Sequence, residues 1–380
     1  MENTYIISGI PAGTSGVGRL LSYLKNTRLT LIFPKGFKNK NRYIRQFMNI
    51  CARIQFCCGI YFLKNKSVIL IHPQTIGFSL CQKIIKNNDV TLYIMDNSFF
   101  CSRSYNSLYG QECIKCLYGD LQNMQEYECR SFPVRYSMQS NKDFLLFVRE
   151  YSSKIKFYVQ NNSQERLLRE CFSEVNVYIK VVGLVTVDMI SSGNESVTVN
   201  TKTHSMFDVV YHGSDEEAKG ILYVIDLAEK MSGHSFFVPY DKDSIKRKFG
   251  ISCDLSNVTF QSMSWETGLY ELVLNAKIIL CPSMWSAPIE GAVVKSLQFN
   301  GAVGVIKNKY GFNNDIPDNI IIKLDGDLNV DVATLHNVLI DDMFLKYLKF
   351  RSKNWITTFL SVNKKLFDEI FLIDVKNAKE

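Results

Sequence analysis

Between Glu2 and Asp89 the chain contains no aspartate and no glutamate. The same stretch carries thirteen basic residues: Arg19, Lys25, Arg28, Lys35, Lys38, Lys40, Arg42, Arg45, Arg53, Lys64, Lys66, Lys83 and Lys86. The whole 380-residue protein has a formal net charge of only +7, so the imbalance is one of placement, and it aims a positive field at something anionic. Long apolar runs are missing too. No 18 consecutive apolar residues occur, and candidates such as 57–63 are too short to cross roughly 30 Å of hydrocarbon. The opening MENTYIISGIPAG has an acidic residue, no basic leader and an early Gly/Pro turn, so no signal peptide is expected and a cytoplasmic location is. There is no internal repeat and no low-complexity segment. In that setting the eleven cysteines are expected to be mostly reduced, several of them buried as small hydrophobes.

What is present points to a globular protein with substantial cores, since 46% of residues are hydrophobic, 12% aromatic and 21% charged. The length suits two domains of about 150–200 residues. Short β-branched runs at 5–8, 29–33, 68–72, 91–95, 144–148, 156–160 and 175–181 read as strands. After a polar break at 191–205, a second series follows at 208–211, 235–239, 258–261, 277–281, 302–306 and 320–324. Helical periodicity lies between them, as in 15–25, 76–86, 216–231, 267–275 and 290–299, with Asn162 or Ser163 capping a helix over 164–171. Alternation of this kind predicts an α/β protein of two Rossmann-like domains, their parallel sheets facing across a cleft, with ligands at the carboxyl ends of the strands.

Five segments carry candidate chemistry. In SGIPAGTSGVGR, Gly9, Gly13, Gly16 and Gly18 lie between a strand and a helix. Glycines and a helix N-terminus suit close approach to a phosphate, while a tight βα turn needs the same residues. No Walker sequence or dinucleotide fingerprint is present. The segment 35–63 places Lys35, Lys38, Lys40, Arg42 and Arg45 ahead of Phe47, Met48, Ile50, Ile54, Phe56, Ile60 and Phe62. That pattern fits the headgroup layer of an anionic membrane or a solvated helix face; no nucleic-acid module accompanies it. In YHGSDEEAKG, Lys219 stands at a helix start, where it meets a diphosphate or faces solvent. In CPSMWSAPIEGAVVKS, Glu290 and Gly291 open a helix and Lys295 follows one turn later. A carboxylate, a lysine and a small-residue loop at one strand end suit sugar hydroxyls and a phosphate together, and Glu290 equally suits the helix dipole. Finally, MDNSFFCSRS puts Asp96 at a strand's carboxyl end. Cys101, Cys113, Cys116 and Cys129 follow, to be read either as buried and unpaired thiols or as four ligands of a structural zinc.

With these residues in hand, the chain resembles the retaining glycosyltransferases of the GT-B fold, family 4, which build lipopolysaccharide and capsule. The likeness is strongest over 209–306 and visible in TSGVGR and in MDNSFFC…CIKC. It implies an N-terminal acceptor-binding domain over 1–200, a nucleotide-sugar-binding domain over 206–345, and helices over 346–380 packing back toward the first. Gly16 would lie near the donor diphosphate, Lys219 would match the phosphate-binding lysine, and 287–295 the two-glutamate stretch. Asp96 would sit in the acceptor-side catalytic region. The departures are specific: Ser214 stands where the family has arginine, Met95 where it has histidine, and Ala287 and Lys295 where it has glutamates. A three-residue slide offers Glu290 and Gln298 instead, with Lys295 replacing the charge lost at Ser214. The implied activity is transfer of a hexose, galactose among them, or a deoxyhexose, with retention. It runs from a nucleotide sugar to a polyprenyl-diphosphate-linked saccharide of O-antigen synthesis, on the anionic inner face of the bacterial inner membrane and with no metal required. The competing expectations are a nucleotide-sugar epimerase of the same fold and a non-catalytic scaffold.

Overall fold

Strands buried on both faces need no alternation, and the runs YII and VILI are apolar without a polar residue between. A computed structural model, describing residues 4–37, 41–132, 136–191 and 207–373, places them as adjacent parallel strands. In chain order the strands are β1 (Thr4–Ser8), β2 (Thr30–Ile32), β3 (Ser67–Ile71), β4 (Asp89–Tyr93), β5 (Ser107–Leu108), β6 (Gln111–Glu112), β7 (Lys156–Val159) and β8 (Tyr178–Val181), followed by β9 (Val209–Tyr211), β10 (Phe236–Val238), β11 (Val258–Phe260), β12 (Ile278–Leu280), β13 (Val303–Ile306) and β14 (Ile322–Leu324). One six-stranded sheet runs β2-β1-β3-β4-β7-β8 and the other β11-β10-β9-β12-β13-β14. All their pairings are parallel; in the first sheet Ile7 lies opposite both Ile32 and Leu70. No helix among the described residues is long and apolar enough to cross a membrane.

Both sheets reverse their winding direction once: between β1 and β3 in the first, and between β9 and β12 in the second. Crevices at such reversals, outside the carboxyl ends of the strands, are where open α/β sheets bind ligands. The Gly9–Gly18 loop follows β1 and His72 follows β3; Lys219 follows β9, and the loop to Glu290 follows β12.

Clustering of contacts gives two units. The first comprises Met1–Tyr105, Ile114–Ser191 and Val362–Glu380, the second Asn106–Cys113 and Ser192–Ser361. The hairpin β5–β6, turning through Tyr109 and Gly110 at positive φ, therefore belongs with the second unit. The long helix Asp342–Ile370 changes membership at Val362, later than the expected 346. Its first half is tied to the second unit: Leu345 and Leu348 join that core, Ser352 donates to the Ile320 carbonyl at 2.6 Å, and Lys349 donates to Ala276 at 2.8 Å. Its last turns complete the first core, where Phe367 and Phe371 are fully buried and Asn363 exchanges hydrogen bonds with Leu184. Positions 192–205 of the expected polar linker, and Lys38 and Lys40 of the basic segment, lie outside the described residues.

One expected strand is a helix. Residues 144–148 fall within Met138–Glu150, where Ser137 caps the N-terminus by accepting from Ser140 N–H. Phe144, Leu145, Phe147 and Val148 are buried while Leu146 is exposed, a helical spacing that five consecutive apolar residues conceal. The cap of the helix Asn162–Cys171 is Asn161, one residue before the expected pair.

Candidate functional site

In the second unit the turn after β9 is shaped by Tyr211. Its buried hydroxyl donates to the carbonyls of Ser214 at 2.6 Å and Lys219 at 3.1 Å, gathering both ends of the turn. Gly213 is required there, because a Cβ would lie 2.4 Å from that hydroxyl. At the far end Gly220 has φ +78°, and a Cβ would meet the Pro282 carbonyl oxygen at 2.1 Å. The turn thus packs directly on the end of β12, and Met284 N–H donates to Ala218 at 2.8 Å across the junction.

This seam brings Lys219 onto Glu290. Lys219 Nζ is ion-paired with Glu290 Oε1, with only 14% and 12% of the two side chains exposed. The Ser283 hydroxyl lies 2.7 Å from each carboxylate oxygen and donates to them, and Lys219 Nζ also sits 4.9 Å from the centroid of Trp285. Glu290 occupies the N-cap position of the helix Gly291–Phe299 but makes no side-chain cap bond; its carboxylate is turned to Lys219 instead. At Gly291, the first residue of that helix, a Cβ would meet open space. A small pocket lined by Ser283, Ala287, Glu290, Asn308 and Phe312 opens beside the carboxylate, with Asn308 Nδ2 donating to the Ser283 carbonyl at 2.8 Å.

Lys295 does not join Lys219 at the helix tip. It is buried one turn along, its Nζ 4.8 Å from the Trp265 ring, and Trp265 stacks on His212 at 5.3 Å. His212 Nδ1 lies 2.8 Å from Ser296 Oγ. Burial first, and the Lys295 charge second, push His212 down to about 3, so the imidazole is neutral at neutral pH. Lys295 is thus linked to the turn after β9 by way of Trp265 and His212. Ser214 is exposed on the turn, and Ala287 contributes backbone, its carbonyl accepting from Phe312 N–H at 2.8 Å. The hairpin supports the same loop: Glu112 accepts from the Ser286 hydroxyl and from Lys309 N–H at 2.7 Å, while Asn106 bonds Ser286 through both its amide groups.

In the first unit Asp96 is buried and held. His72 Nε2 lies 3.1 Å from Asp96 Oδ2, Gln74 donates to the same oxygen at 2.9 Å, and Ser98 N–H donates to Oδ1 at 3.0 Å. Burial opposes ionisation of Asp96, but the His72 charge and the hydrogen bonds from His72 and Ser98 outweigh it and hold the carboxyl below its ordinary range. His72 itself is buried in the left-handed region, φ 59°, which a non-glycine residue occupies only when its surroundings impose it. Its Nδ1 is buried without a hydrogen-bond partner among the described residues. Also in the first unit, Gly16 opens the helix Gly16–Leu24 behind the Ser15 cap, with open space where its Cβ would be.

The expected zinc ligands Cys101, Cys113, Cys116 and Cys129 are all free thiols in separate local settings. Among the described residues no three His, Cys, Asp or Glu side chains gather as metal ligands. Cys101 is buried, Cys116 and Cys129 pack against Leu121, Met124 and Leu145, and Cys113 belongs with the hairpin, bonded through its backbone to Asn106. His72, His212, Ser283, Trp265, Trp285 and Glu112 were not singled out by sequence reasoning. Only the two histidines carried a signal, each standing immediately after a strand.

No family model matches the chain, and no curated protein matches it in sequence. Solved structures do match. A sucrose-phosphate synthase from Thermosynechococcus elongatus superposes with a TM-score of 0.60 at 13% identity, covering 98% of this chain and 100% of its own. HepE from Anabaena, in complex with UDP, gives 0.58 at 9% identity, with 97% and 99% covered. An α,α-trehalose-phosphate synthase (UDP-forming) from Burkholderia xenovorans, in complex with glucose-6-phosphate, gives 0.59 at 8%, with 97% and 100% covered. The fold is GT-B. In this GT-B chain the Lys219–Glu290 pair and the His72–Asp96 pair each stand at the winding reversal of one sheet.

Proposed function

We propose that the chain is a nucleotide-sugar-dependent glycosyltransferase of the family 4 type, a hexosyltransferase. It would transfer galactose, another hexose or a deoxyhexose with retention to a polyprenyl-diphosphate-linked saccharide in O-antigen synthesis. The observation that carries the reading is the set Lys219, Glu290 and Ser283 beside the N-terminus of the helix Gly291–Phe299. A leaving diphosphate needs cationic and N–H donors fixed before charge develops, and such electrostatics commonly supply the largest catalytic term. Lys219 and the helix N-terminus meet the diphosphate, and Glu290 receives sugar hydroxyls once the donor displaces it from Lys219. This step uses no metal. Asp96, with His72, orients the acceptor hydroxyl. UDP in the HepE structure and glucose-6-phosphate in the trehalose-phosphate synthase structure support a nucleotide donor and an anionic acceptor.

The membrane surface belongs to the same reading. The helix Arg42–Tyr61 buries Ala52, Phe56 and Ile60 and exposes Tyr43 (80%), Phe47 (68%), Ile50 and Ile54, beside Arg42 and Arg45. Basic residues near an anionic surface contribute about 1 kcal/mol each. The protein would therefore work peripherally on the cytoplasmic face of the inner membrane. Binding to vesicles containing 30% anionic lipid should fall at least tenfold between 50 and 500 mM salt; indifference to salt removes the membrane role.

Calorimetry with UDP and a panel of nucleotide sugars, followed by transfer assays on crude membranes, tests the main proposal. Donor binding with acceptor-dependent transfer upholds it. Isomerised donor without acceptor indicates the epimerase, and no donor binding indicates a scaffold.

A further inference from the structure

The long helix Asp342–Ile370 is apolar on two opposite faces near its start. Leu345, Leu348 and Ile356 are buried, and the first two join the core of the second unit. Helical phase puts Met343, Tyr347 and Phe350 within about 60° of one another, on the side turned away from those three. They are 75%, 55% and 67% exposed, with Phe344 (41%) on one flank and Ile340 (65%) ending the preceding helix Leu328–Ile340. The apolar stripe is short. In the same phase the helix continues with Asn354, Thr357, Thr358 and Ser361, all exposed.

A surface helix turns polar residues to water, and a helix that is apolar all round is covered all round. At about 200 Å² for each large side chain, the five residues leave roughly 600 Å² of apolar surface open, the top of the ~300–600 Å² range for the largest patch on a monomer. Two copies covering this patch against each other would bury about 1,200 Å², where stable interfaces begin.

The charges around the stripe favour a second copy over other occupants. After Asp342 the helix has no acid until Asp368, but it carries Lys346, Lys349, Arg351 and Lys353. By phase Asp342, Lys346 and Lys353 share one flank of the stripe, and Phe344 and Arg351 share the other. When two such helices pack end for end about a two-fold axis, like flanks meet. With the crossing at Tyr347 and Leu348, Asp342 of each copy comes opposite Lys353 of the other, and Phe344 opposite Arg351. Lys353 is half-buried and burial lowers its pKa, so a carboxylate brought to it would stabilise its charge. Arg351 already engages an aromatic ring, lying 5.2 Å from the Tyr347 centroid and donating to its hydroxyl at 2.5 Å. A parallel pair would set Asp342 on Asp342, and an anionic lipid surface would repel it. We infer that the start of this helix is a homodimer interface, on which a second copy of the chain packs antiparallel through Met343, Tyr347 and Phe350. The two Lys346 side chains then stand closest to the axis and oppose the association. Nothing in this inference depends on the transferase reading.

Sedimentation velocity of the full-length protein from about 1 to 200 µM tests it, with a reversible dimer expected at a Kd of about 10 µM or tighter. Met343→Glu and Phe350→Glu, at exposed positions, should each weaken the dimer at least tenfold while the urea midpoint of unfolding stays put. Asp342→Lys alone and Lys353→Glu alone should each weaken it at least fivefold. An equal mixture of those two variants should regain the parent affinity, because the mixed pair restores opposite charges at both contacts. Lys346→Gln should tighten the dimer. A chain that stays monomeric at 200 µM, or a dimer that ignores both stripe substitutions, removes the interface, and a mixture that fails to recover overturns the antiparallel arrangement. A monomer that instead binds vesicles of 30% anionic lipid, less well after either Met343→Glu or Lys346→Gln, would give the stripe to a lipid surface and sink the inference.

Discussion

The two sheets place opposite electrostatic devices at equivalent positions. At the reversal of the second sheet a carboxylate and a lysine satisfy one another, with a serine closing the remaining lone pairs. At the reversal of the first sheet an aspartate is oversupplied with donors, and its histidine is left with one nitrogen unbonded and a strained backbone. A satisfied ion pair is stable until a ligand offers each member something better. An orphaned nitrogen in a buried site destabilises the resting protein, and persists where surrounding structure over-determines it. The second unit thus holds a mutually satisfied pair, and the first a buried imidazole whose second nitrogen has no partner among the described residues.

Breaking the Lys219–Glu290 pair should have the largest effect. Glu290→Ala and Lys219→Ala are each expected to lower kcat/KM about a hundredfold, the scale seen when one preorganised charge is removed. Either substitution leaves its partner buried without its counter-charge, which costs stability as well. The pair Lys219→Met with Glu290→Gln separates the two effects. Its urea midpoint should return toward that of the parent protein while turnover stays low. Recovery of turnover in the double variant would reduce the pair to a structural clamp.

The His72–Asp96 pair comes next. His72→Ala and Asp96→Asn are expected to lower kcat about tenfold with little change in donor KM, because the reading gives the pair to the acceptor and not to the donor. The pH profile sharpens the comparison. Folded Asp96 titrates below its ordinary range, so the stability it contributes is present above the unfolded pKa and is lost as pH falls through the lower folded value. In Asp96→Asn that portion of the acid loss should disappear. A tenfold rise in donor KM in place of the kcat loss would relocate Asp96 to donor binding.

The alternation of strands and helices was legible because parallel strands buried on both faces are short apolar runs bounded by polar turns. The misread segment 144–148 shows the limit: FLLFV has no period of its own, and the Ser137 cap and the exposed Leu146 decide for helix. Glu290, Lys219 and Asp96 could be picked out as candidates because each is a charged residue beside a strand end or a helix start, although the pairing of Lys219 with Glu290 could not. Ser283, Trp265 and Trp285 were not, since each earns its place through a contact with a residue distant in sequence. Lys295 was legible as a cation but not in its direction. Helical phase places it one turn in, and only the position of Trp265 shows which way it faces.

The smallest expected effect concerns His212, whose neutrality ties Lys295 to the second unit's site. Its folded pKa lies near 3, below the 6.5 of an unfolded histidine. The unfolded chain therefore binds the extra proton first. The stabilising contribution is complete above pH 6.5 and erodes as pH falls toward 3. Between pH 7 and pH 4.5 the loss should be roughly 2.5 kcal/mol, ahead of most carboxylate titration. His212→Gln keeps a polar partner for Ser296 and removes the proton, so its urea midpoints at those two pH values should differ less than those of the parent protein. An unchanged difference would mean that the His212 imidazole is reached by solvent in the folded protein.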